Sequence, residues 1–121
     1  MKLPSDYREL LSTGAALLRA LAAELRLRAA AQPHAPELWL SIRDYEGLAG
    51  RLADSDDWEW QHGFAATLIS GQDLGVLDEL LAHKDDSPVQ VSEEQASVLA
   101  RLRRFLRQYS DREFEFDEPA A

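Results

Sequence analysis

The sequence contains no cysteine. That excludes disulfides, cysteine-ligated zinc, iron–sulfur clusters and thiol catalysis. Positive charge is also scarce: 13 Lys and Arg stand against 22 Asp and Glu, for a formal net charge of −9. A chain that wraps nucleic acid or coats an anionic membrane needs the opposite balance, because phosphate affinity comes from Lys and Arg. No nucleic-acid or membrane partner is therefore expected. No apolar stretch nears the roughly 18 residues of a membrane span. Residues 1–6 lack the basic-then-apolar order of a signal peptide, so a cytoplasmic location is expected. Val and Ile are few, which argues against a sheet.

The motifs of catalysis are missing as well. There is no Gly-x-Ser-x-Gly elbow and no phosphate-cradling glycine loop of either common kind. His34, His62 and His83 are far apart, and no two share a helix face at metal-ligand spacing. Glu59-x-x-His62 is half of a carboxylate-bridged di-metal pattern whose other half is absent. Asp54–Glu59 starts like a calcium loop but places Trp58 and Glu59 where a ligand and the turning Gly belong. No catalytic residue, metal ligand or cofactor is assigned, and the chain is not expected to be an enzyme.

What is present is helical. The chain has 121 residues, enough for one domain, and Leu and Ala, both strong helix formers, supply almost a third of it. Tyr7, Leu10, Leu11, Leu17, Leu18, Leu21 and Leu25 mark one helix face from about Ser5 to Ala31, with Gly14 permitting close helix contact. Pro36 opens a second helix with Leu38, Ile42, Tyr45, Ala49 and Leu52 as its buried stripe. Asp54, Ser55, Asp56 and Asp57 cap a third, carrying Trp60, Phe64 and Leu68 and stopped by Gly71. Asp73 caps a fourth, with Leu74, Leu77, Leu80 and Leu81 inside, before a turn at 83–88. Ser92-x-x-Gln95 is a capping box for a fifth, with Val98, Leu99, Leu102, Phe105, Leu106 and Tyr109 inward. The pattern predicts an all-α, compact antiparallel bundle of about five helices over 1–110, followed by an acidic-aromatic tail over 111–121.

Two segments combine acids with aromatics. Asp54, Asp56, Asp57 and Glu59 surround Trp58, with Trp60 expected in the core. In the tail, Glu113, Phe114, Glu115, Phe116 and Asp117 alternate, so an extended chain would put both phenylalanines on one side. Aromatic anchors framed by charge have the composition of binding hot spots. The arginines of helix five (Arg101, Arg103, Arg104 and Arg107) read instead as a solvated face that pairs with acids elsewhere. Trp39 or Trp58, if exposed, would mark an interface with a second copy or with a foreign partner.

A small, acidic, cysteine-free, five-helix chain without catalytic motifs resembles the bacterial immunity proteins of toxin–immunity pairs, including those of type VI secretion. The resemblance implies an inhibitor, monomeric or dimeric when unbound, that occludes the basic, nucleotide- or nucleic-acid-handling active site of a cognate protein toxin. The Asp54–Glu59 and Glu113–Asp117 segments would be its contact residues. The alternative is an acidic helical adaptor or regulatory subunit of a bacterial complex unrelated to toxins.

Overall fold

The computed structural model describes residues 5–62, 65, 69, 71–82 and 89–116, the last seven by backbone alone. The described residues form five α-helices and no strand: α1 Tyr7–Ala31, α2 Pro36–Asp54, α3 Asp57–Gln61, α4 Gly71–Ala82 and α5 Glu93–Phe116. No helix among them is long and apolar enough to cross a membrane.

α1 and α2 form an antiparallel hairpin. The short Gln32–Ala35 connection contains Pro33, and Pro36 takes the first turn of α2, where no backbone donor is lost. The hairpin is tied at both ends. Near the connection, Arg26 forks the Glu46 carboxylate at 2.9 and 2.7 Å and lies over the Trp39 ring. At the far end, Arg8 donates to the Ser55 carbonyl at 3.1 Å. Leu38, Ile42, Tyr45, Ala49 and Leu52 are all buried, as the stripe predicts.

α5 begins where its capping box puts it: Ser92 Oγ accepts from the Gln95 N–H at 3.1 Å, and Gln95 Oε1 accepts from the Ser92 N–H at 2.9 Å. The helix packs on α1 at Gly14. A Cβ there would stand 2.7 Å from Leu102 Cδ2, and Leu102 is fully buried. Arg103 pairs with Asp78 of α4, and Arg101 lies 3.7 Å from Asp6, so these arginines do find acids on neighbouring elements.

Three expectations change. α3 is a single short helix, not a run to residue 70: Ala65 lies in a 3-10 turn and Ile69 in irregular chain, both buried. Gly71 opens α4 instead of closing its predecessor. Asp73 is not a cap but a buried residue clamped by Arg51 of α2, with the Arg51 Nε–Asp73 Oδ2 bond at 3.2 Å. That pairing turns α4, so that Asp73 and Val76 face inward with Leu77 and Leu80 while Leu74 and Leu81 are only partly covered. Phe64, Leu68 and the turn at 83–88 lie outside the described residues.

Two glycines give opposite expectations. Gly14→Ala forces Leu102 to move in a packed core, which costs about 1–3 kcal/mol and outweighs the gain in helix propensity. At Gly75 of α4, a Cβ would have nothing within 4 Å. Gly75→Ala therefore stabilises by about 0.5–1 kcal/mol. Urea titration of both variants checks the signs. Tyr45 supplies an alkaline test. Burial, then the charges of Glu79 and Asp44, push its phenol up to about 12, above the ordinary value of 10.0. Between those values the folded chain keeps a proton that the unfolded chain has released. Stability that is complete below pH 10.0 is thus lost as pH rises through about 12. Tyr45→Phe removes the Tyr45 share of this slope, while Tyr7, whose phenol burial also raises, keeps its own.

Candidate functional site

α3 is five residues long, far below the length at which a helix holds itself together. It is fixed by what it buries and by its cap. Trp60 is fully buried, with its ring centroid 4.9 Å from Tyr109 and 6.0 Å from Phe105 of α5. The Tyr109 hydroxyl donates to the Trp60 carbonyl at 2.7 Å. Among the described residues the Trp60 Nε1–H has no partner, an unpaired buried donor carried by the packing of its ring. Asp56 is the N-cap. Its Oδ1 accepts from the Glu59 N–H at 2.8 Å, and Glu59 Oε1 accepts from the Asp56 N–H at 3.2 Å.

With Trp60 turned in, Trp58 is turned out: it is 56% exposed. His62 stacks on it at 4.5 Å between centroids, and its Nδ1 lies 2.9 Å from the Trp58 carbonyl oxygen. Asp57 Oδ1 accepts from the Tyr7 hydroxyl at 2.6 Å and lies 3.2 Å from Arg8 Nε. Asp56, Asp57 and Trp58 are exposed and Glu59 half-buried on this short turn, Asp54 is exposed at the end of α2, and among the described residues Arg8 pairs with Asp57.

The geometry also sorts these residues by task. Asp56 and Glu59 spend one carboxylate oxygen each on the helix cap, and Asp57 ties α3 to α1. Asp54 has no ion-pair or hydrogen-bond partner among the described residues. Asp54 is therefore the member that the fold needs least. In Glu59-x-x-His62, the carboxylate takes part in the cap and the imidazole stacks on Trp58.

The second candidate segment differs from its expectation. The backbone of Glu113, Phe114, Glu115 and Phe116 continues α5, so the boundary set at residue 110 falls inside a helix. The shared side for Phe114 and Phe116 required extended chain, and positions two apart in a helix do not share a face. The side chains of this segment, and all of Asp117, lie outside the described residues.

A polar, open groove of about 380 Å³ lies between α2 and α4, lined by Arg43, Asp44, Gly47, Arg51, Gln72 and Asp73. Its Arg51–Asp73 pair ties the two helices together. Sequence reasoning missed this pair and the Tyr7–Asp57 bond, because nothing in local spacing links residues 22 and 50 positions apart.

Stability measurements separate the roles. Asp56→Ala removes the cap and costs about 1 kcal/mol. Trp58→Ala, at an exposed position, shifts stability by less than about 0.5 kcal/mol. Thermal melts of the two variants check the contrast. Comparisons with protein-family models, with curated proteins and with solved structures give no match to this chain.

Proposed function

We propose that this chain is an immunity protein: it binds a cognate antibacterial toxin and occludes a basic active site. The observation that supports this is the exposed Trp58, held on a capped, core-anchored turn among Asp54, Asp56, Asp57 and Glu59. An aromatic anchor on a fixed turn loses little freedom on binding, which favours affinity. Carboxylates around it, on a chain of net charge −9, draw in a positively charged partner and speed association. Toxins that handle nucleotides or nucleic acids need cationic pockets for phosphate, so such a pocket fits this surface.

The test is growth. The gene next to this one is expressed under tight control with and without this chain. Toxicity that the chain relieves is the expected result; absence of toxicity, with nothing to rescue, overturns the proposal. With the toxin in hand, Trp58→Ala and Asp54→Lys are each expected to weaken binding about tenfold or more while leaving the melting temperature in place. Asp54→Lys is expected to act mainly on the association rate and to lose its effect at high salt.

A further inference from the structure

α1 carries a row of arginines along the side that it shares with α2. Arg8, Ser12, Ala15, Arg19 and Arg26 follow one another at spacings of 4, 3, 4 and 7, so they lie along one helix face. The outer two arginines find acids on neighbouring elements. Arg8 Nε lies 3.2 Å from Asp57 Oδ1, and Arg26 forks the Glu46 carboxylate. Arg19, between them, is exposed and has no ion-pair or hydrogen-bond partner among the described residues.

Beside Arg19 lies a groove of about 220 Å³ between α1 and the end of α2. Arg8, Ser12 and Arg19 supply its polar side chains, and α2 contributes Leu52 and Ala53, neither of which can pair with a cation. Leu11, Ala15 and Leu52 are buried, so the floor is apolar. Among the described residues no carboxylate lines it, whereas the groove between α2 and α4 sets Asp44 and Asp73 against its two arginines. Arg8 is also fixed in place, because its Nη1 donates to the Ser55 carbonyl at 3.1 Å while its Nε faces Asp57.

That lining selects the chemistry of a ligand. A carboxylate is the acceptor that guanidinium and hydroxyl donors match. Its bonds to them strengthen where an apolar wall displaces water. A hydrated inorganic anion would leave the apolar floor uncovered, and a neutral apolar molecule would leave the guanidiniums without a counter-charge. We propose that this groove is a binding site for a small organic carboxylate with an apolar carbon body. Arg8, Ser12 and Arg19 take the carboxylate, and Leu11, Ala15 and Leu52 carry the carbon part. The site stands whether or not Trp58 docks a toxin.

Two-dimensional NMR of the isotope-labelled full chain, titrated with phenylacetate in the absence of any toxin, tests it. Saturable shifts of the α1 and α2 amides beside the groove are expected, with a dissociation constant of about 1 mM or below. Phenylacetamide has the ring without the charge, and acetate the charge without the ring; each is expected to bind about tenfold or more weakly than phenylacetate. Arg19→Ala is expected to weaken phenylacetate about tenfold, and Arg19→Lys to keep part of the affinity, because a point charge replaces a fork. Ala53→Phe, at an exposed position, is expected to fill the groove and abolish binding with the helical circular dichroism retained. Absence of saturable binding at about 10 mM phenylacetate overturns the inference. So does equal binding of phenylacetamide, or binding indifferent to Arg19→Ala.

Discussion

The burial of one indole decides the surface on which the functional reading rests. α3 is too short to be stable alone, so its orientation is whatever places Trp60 between Phe105 and Tyr109. The Tyr109 hydroxyl, bonded to the Trp60 carbonyl, fixes the backbone as well as the ring. Once Trp60 points inward, helical geometry turns Trp58, two residues earlier, toward solvent. The capping box then holds Asp56 and Glu59 beside it. Anchor, cap and exposed aromatic are consequences of a single packing choice.

The same economy governs the charges. Few of the acids on this face are idle: Asp57 binds Tyr7 and Arg8, while Asp56 and Glu59 close the cap. The partly buried Arg51–Asp73 pair couples α2 to α4, and its Asp73 is almost fully enclosed. An enclosed carboxylate is tolerated only with a partner, so this pair defines how the two helices meet more than it adds to stability. Among the described residues four large hydrophobic side chains, Leu27, Trp39, Leu40 and Trp58, stay exposed.

The glycines carry the same lesson in the other direction. Gly14 is required from within, because Leu102 takes the space of its missing side chain. Gly75 of α4 is not, since a Cβ there would have nothing within 4 Å. Identical residues in identical secondary structure thus have unrelated explanations, and only the neighbouring helix distinguishes them.

Local sequence determined the helices wherever periodicity and caps acted within a few residues. The α2 stripe from Leu38 to Leu52, the Pro36 start, the Asp56 N-cap and the Ser92–Gln95 box all follow from contacts three or four positions apart. Tertiary structure decided what local rules could not weigh. It ended α3 at Gln61, since Trp60 finds its partners on α5 and not along its own helix. It rotated α4, because Arg51 reaches Asp73 across 22 positions and a buried carboxylate must follow its cation. It carried α5 through residue 110 to Phe116, where composition alone marked a tail. Side chains that meet across the fold have no fixed spacing in the chain, so their choices appear only when the helices are packed.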